Sequence, residues 1–181
     1  MRVIDNFLTP SYANLIESQL QSDGQEWYFK PRSSGQPYQQ NQSPVEHGFS
    51  LLLFSEVEGG WTNTYASMML KPFLLQVQDT VGAQRLLRAR IDMTVANTSR
   101  VLHPAHVDLA GVKNITAIYY VSDSDGYTMV YNEKRLCDEY TIQKKIAPRK
   151  NRLCFFDGDY YHTGHSPVQH PNRILINANF I

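Results

Sequence analysis

From Leu87 to Val95 the chain alternates without a break. Leu87, Ala89, Ile91, Met93 and Val95 are separated by Arg88, Arg90, Asp92 and Thr94. A period of two is the mark of a half-buried strand, and it rules out a helix here. Further strand segments follow: 114–121 (NITAIYYV), 127–131 (YTMVY), 140–146 (YTIQKKI), 152–157 (RLCFFD) and 173–180 (RILINANF). Turn signals such as SDSDG and QHPN punctuate them. Many short strands at regular spacing predict a sandwich or jelly roll.

The first 82 residues read differently. Residues 2–8 form a short strand. Thr9 then caps a helix that begins at Pro10 and carries Tyr12, Leu15, Ile16 and Leu20 at helical spacing, with Gly24 ending it. Residues 30–48 are rich in Pro, Ser and Gln and form a long loop, either a lid or a disordered insertion. The strand FSLLLF follows, then a helix from Asn63 to about Gln78 in which Pro72 is a kink or break. The fold class expected is α+β, mainly β, with the N-terminal helices packed on one outer face. Residues 1–181 are read as one domain, with 1–82 as support and 83–181 as the core.

Composition narrows the partners. Seventeen basic and seventeen acidic residues give a net charge of zero, so no basic excess points to nucleic acid. No apolar run approaches a membrane span, and the N-terminal MRVIDNFLTP lacks a signal layout. Two cysteines, Cys137 and Cys154, favour a reducing compartment, so a cytoplasmic protein is expected. Cys154 is read as a buried core thiol, and Trp27 and Trp61 as packing residues. Composition says nothing of the oligomeric state.

Five of the six histidines fall in two clusters, His103 with His106, and His162 with His165 and His170. On a strand, His106 and Asp108 point to one face. With a third ligand from a distant strand they complete a facial triad of two histidines and a carboxylate, which suits Fe(II) with open positions. His-x-Asp alone is common, and a solvated strand end is the plain alternative. About fifty residues later His162 ends one predicted strand, and Arg173 starts the next eleven residues on. A QHPN hairpin would bring both to the same mouth, where the arginine offers a planar fork to a carboxylate.

The order His-x-Asp, His, Arg resembles that of the Fe(II)- and 2-oxoglutarate-dependent oxygenases, nearest the prolyl-hydroxylase-like branch on a double-stranded β-helix. VIDNFLTP followed by a helix and WYF is similar to the opening of that branch. AIYYVSDSDGYTMVY resembles its strand and Gly-x-Thr segment, although Asp125-Gly126-Tyr127 replaces the usual Gly-Gly. The likeness covers residues 3–181 apart from 30–48.

The resemblance implies that His106, Asp108 and His162 ligate iron and that Arg173 binds the distal carboxylate of 2-oxoglutarate. It gives Tyr120 a hydroxyl contact to that carboxylate. Asn177 and Asn97 are placed beside the co-substrate. His165 competes with His162 as distal ligand, and His162 keeps the family spacing to Arg173. His103 either lines the cleft or is solvated. With O2 as oxidant no separate acid or base is required, so no catalytic residue is named beyond the metal centre. The expected activity is hydroxylation of a prolyl or peptidyl residue. A free amino acid or other small molecule is the alternative within the class. A non-enzymatic jelly-roll binding domain and a cupin-like metal enzyme are the alternatives outside it.

Overall fold

Alternation along the strands sorts side chains to the two faces of one large sheet. The computed structural model describes residues 1–31 and 47–181. Its strands are β1 (Arg2–Ile4), β2 (Tyr28–Lys30), β3 (Gly48–Ser55), β4 (Gly60–Trp61), β5 (Leu86–Val95), β6 (Ile115–Tyr120), β7 (Thr128–Tyr131), β8 (Ile142–Ile146), β9 (Arg152–Asp157), β10 (His162–Gly164) and β11 (Asn172–Phe180). The helices are α1 (Pro10–Leu20) and α2 (Tyr65–Val81). The major sheet has eight strands in the order β1-β9-β6-β11-β5-β3-β2, with β4 on β3, and a three-stranded sheet runs β10-β7-β8. This is the mainly β, jelly-roll architecture expected.

One face of the major sheet carries the helices. Ala89 and Ile91 of β5, Ala117 and Tyr119 of β6, and Ile174, Ile176 and Ala178 of β11 pack with Ile16 and Leu20 of α1 and Leu70, Phe73, Leu74 and Val77 of α2. The opposite face meets the small sheet. There Ile118, Tyr120, Cys154, Phe156 and Leu175 pack against Val130 and Ile146. Burial pushes the Cys154 thiol up to about 12, which makes it an inert core group. Trp27 and Trp61 pack against the helical core.

Several elements depart from expectation. The first strand stops at Ile4 because Asn6 adopts φ +52. Thr9 is the N-cap residue of α1, though its side chain makes no capping bond, and α1 ends at Leu20 rather than near Gly24. α2 runs through Pro72, which lies on its exposed face. The anchoring of Phe73, Leu74 and Val77 in the core outweighs the lost backbone bond. Gly82, with φ +71, ends α2 in a left-handed cap. Strands β2, β4 and β10 are too short to show a period. The loop expected at 30–48 falls mostly on residues 32–46, outside those described.

The largest correction concerns the QHPN turn. It does not fold a hairpin. β9 pairs with β1 and β6, β11 pairs with β5 and β6, and β10 pairs with β7 in the other sheet. The connection from β10 to β11 therefore crosses between sheets. No helix among the described residues is long and apolar enough to cross a membrane.

Candidate metal and co-substrate site

HPAHVD is an irregular run rather than a strand, since Pro104 has no N–H to give a ladder. It still lies against β10. His106 N–H donates to His162 O and His162 N–H donates to His106 O, both at 2.9 Å, and His103 N–H donates to Gly164 O at 3.0 Å. These bonds bring the two histidines together, with ring centroids 4.8 Å apart and planes tilted by 48°.

Ligand atoms of His106, Asp108 and His162 all lie within 4.8 Å of one another. Each histidine is held from behind, with His106 Nδ1 3.1 Å from Pro104 O and His162 Nδ1 3.2 Å from Tyr160 O. Carbonyls accept only, so each Nδ1 carries the proton and each Nε2 keeps a lone pair for a metal. Burial, with His162 beside it, pushes the His106 imidazole down to about 4, which keeps it neutral near pH 7. Burial would raise the Asp108 carboxyl, but His162, Arg90 and His106 outweigh it and hold the group well below the usual range.

Asp108 is clasped from several sides. Its Oδ1 accepts from Arg88 Nη2 at 3.2 Å and Arg90 Nη2 at 3.4 Å. Asn177 Nδ2 reaches Oδ2 at 3.1 Å, and Asn179 Nδ2 reaches it at 3.4 Å. The structure thus puts Asn177 against Asp108, with its own buried Oδ1 unpartnered.

Arg173 enters the same cavity from β11 and is 7% exposed. Its Nη2 donates to Thr128 Oγ1 at 2.9 Å, and its Nε has no partner. Two glycines make room for it. A Cβ on Gly164 would sit 2.5 Å from Arg173 Nη1, and one on Gly126 would sit 2.5 Å from His165 O and 3.0 Å from Arg173 Cδ. The replacement of Gly-Gly by Asp125-Gly126 therefore keeps the glycine that this packing needs. Asp125 accepts from the N–H groups of Val168, Gln169 and His170 and so fastens the inter-sheet connection.

Tyr120 is fully buried and stands one step behind the cavity. Its hydroxyl donates to Thr128 Oγ1 at 2.7 Å. Burial raises its pKa well above the ordinary value, so it remains a donor. Thr128 Oγ1 thus accepts from both Tyr120 and Arg173. Both lone pairs are used, and its own proton is left to donate.

His165 is not brought to the cluster, and its Nδ1 lies 3.4 Å from Tyr127 O. His103 is buried in the cavity wall with Nε2 3.0 Å from Ser166 Oγ, which removes the solvated alternative. Asn97 was expected beside the co-substrate. It lies on the loop after β5, outside the cavity lining, and its Oδ1 accepts from Thr98 N–H at 2.8 Å. Sequence reasoning missed Thr128, Asn179, Arg88 and Arg90. The Gly-x-Thr segment and the polar half of the β5 alternation were the available signals.

Residues 93–181 match the family model of the 2OG-Fe(II) oxygenase superfamily, a stretch that spans the triad, Thr128 and Arg173. This segment is similar to that superfamily, whose enzymes are oxidoreductases using Fe(II), 2-oxoglutarate and O2. No curated protein matches it. Solved structures share its fold at low identity. One is a prolyl hydroxylase in complex with a hypoxia inducible factor oxygen degradation domain peptide fragment from Trichoplax adhaerens. It is 13% identical, with TM-score 0.66 over 99% of this chain and 82% of that one. A prolyl-4-hydroxylase from Pseudomonas putida is 11% identical, with TM-score 0.60 over 99% and 91%. The epimerase SnoN from nogalamycin biosynthesis is 13% identical, with TM-score 0.65 over 99% and 76%.

Proposed function

We propose that the protein is an Fe(II)- and 2-oxoglutarate-dependent hydroxylase acting on a prolyl or other peptidyl residue, with His106, Asp108 and His162 as the iron ligands. The observation that carries the reading is one cavity with a ligand cluster within 4.8 Å and a buried arginine whose Nε is unpartnered. Two imidazole Nε2 atoms and a carboxylate fit the facial donor set of non-haem iron. Bound there, iron with 2-oxoglutarate and O2 supplies the oxidising power for a C–H bond. The chain's own residues bind and orient. Arg173 and the Thr128 hydroxyl form the clamp for the distal carboxylate, and Tyr120 holds Thr128 in place from behind. Asn177 and Asn179 steady Asp108 and leave both imidazoles free. The whole chain, 1–181, acts as one oxygenase domain in the cytoplasm, with 1–82 supporting 83–181.

The peptidyl assignment rests on the prolyl-hydroxylase neighbours. The similarly scoring SnoN structure supports a small-molecule substrate as the second reading. An anaerobic titration of the metal-free protein tests the class. A visible absorption band that requires both Fe(II) and 2-oxoglutarate is expected, and no band with Fe(II) unbound overturns the reading. Succinate release with proline-containing peptides against free amino acids then separates the two substrates.

Thr128→Val removes the donated proton while keeping the shape. We expect 2-oxoglutarate affinity to fall roughly fivefold to tenfold, the worth of one hydrogen bond of about 1–1.5 kcal/mol. Thr128→Ser should restore it. Isothermal titration with both variants is the check.

A further inference from the structure

The major sheet is wider than the small sheet opposite it. β10-β7-β8 packs across β6, β9 and β11, which leaves β5, β3 and β2 as a wing beside the cavity. Register fixes what that wing presents. Arg88, Arg90, Asp92 and Thr94 share a face of β5, opposite Asn179, Asn177, Leu175 and Arg173 of β11. Lys30 lies on β2, two strands over, and pairs with Gly48. Lys30 and Arg90 line the triad cavity and also the adjoining one, where Arg88 joins them.

We propose, building on the oxygenase reading above, that this wing receives the substrate and that Lys30, Arg88 and Arg90 hold an anionic group on it, a carboxylate or a phosphate. Three cations converge there. The carboxylates lining the two cavities are Asp92, which pairs with Arg90 at 2.7 Å, and the exposed Glu58. Asp108 pairs with Arg88 at 3.2 Å and with Arg90 at 3.4 Å, which leaves Lys30 as the cation with no carboxylate among the described residues. The Lys30 ammonium makes no ion pair or hydrogen bond to any described residue, and burial and Arg90 together push its pKa down. A half-buried ammonium without a matching carboxylate is costly, and it persists where a ligand completes it; Arg88 and Arg90 would flank that ligand. The group oxidised would lie at the triad and the anion would lie across β5 from it.

The test uses the Zn(II)-loaded protein saturated with 2-oxoglutarate, so that Arg173 is already engaged. Side-chain Nε–H resonances of Arg88, Arg90 and Arg173 are followed by NMR at constant ionic strength. The probes are inorganic phosphate, N-acetylproline and the neutral N-acetylproline amide. We expect saturable shifts at Arg88 and Arg90 with an anion, an unmoved Arg173, and a loss of about tenfold in Lys30→Gln that Lys30→Arg recovers. Response to phosphate alone assigns a phosphorylated substrate, and response to N-acetylproline alone assigns a carboxylate. No response to either anion at about 20 mM, well above millimolar binding, overturns the proposal, as does equal binding of the amide. If 2-oxoglutarate moves Arg173 in that experiment, the oxygenase reading stands without the anion site. If it does not, the oxygenase reading falls as well.

Discussion

His162→Ala will lose the absorption band formed with Fe(II) and 2-oxoglutarate, and His165→Ala will keep it. The two residues are three apart in a chain that is extended here, yet they face different surroundings. His162 shares a pair of backbone bonds with His106 and directs Nε2 toward Asp108 Oδ2 at 3.5 Å. His165 faces Tyr127 O. Removing a group that only orients a ligand costs about 10- to 100-fold in metal affinity, so losing a ligand itself should cost more than that. Asp108→Ala adds a second effect, because Arg88 and Arg90 are left facing each other without their shared carboxylate. Fe(II) binding by equilibrium dialysis, with far-UV circular dichroism as the folding control, separates metal loss from unfolding. Full Fe(II) affinity in His162→Ala would remove it from the proposed triad.

Arg173→Met should move two measurements in opposite directions. The guanidinium is buried, and it donates to the neutral Thr128 hydroxyl rather than to a carboxylate. Burial works against its charge. An apolar chain of similar length removes that cost, and we expect a stabilisation of about 1–2 kcal/mol in urea unfolding of the ligand-free protein. The same change should weaken 2-oxoglutarate by about 30-fold or more, since losing a buried charged partner costs about 2–5 kcal/mol. Loss of both stability and affinity would mean that Arg173 is structural. Unchanged affinity would remove it from the clamp.

Much of the scaffold was legible because apolar alternation is a local signal with a global consequence. Ala89, Ile91 and their neighbours across the sheet could face only a helical layer once Arg88 and Arg90 pointed away. The same signal misleads about those arginines, because a polar face reads as a solvent face whether it meets water or a cavity. The proximity of His106, Asp108 and His162 was readable from residue type and order, but the reason given for it was only partly right. Pro104 denies the first pair a regular strand, and bridging to a three-residue β10 does the work instead. The QHPN segment signals a reversal without saying which sheet receives the next strand. Tyr120 was placed at the carboxylate by the family resemblance, whereas Thr128 stands between it and the cavity. Asn97 was assigned by analogy of position, and its side chain instead accepts from the Thr98 N–H.

The crossing from β10 to β11 sets the two poles of the cavity on opposite jaws. His162 and Thr128 belong to the small sheet, and Arg173 belongs to the large one. The Arg173–Thr128 bond is therefore a rivet through the sandwich. Any ligand gripped by both poles would tighten that rivet. Occupancy of the cavity and the spacing of the two layers would then be one mechanical variable, and a small ligand could stiffen strands it never touches.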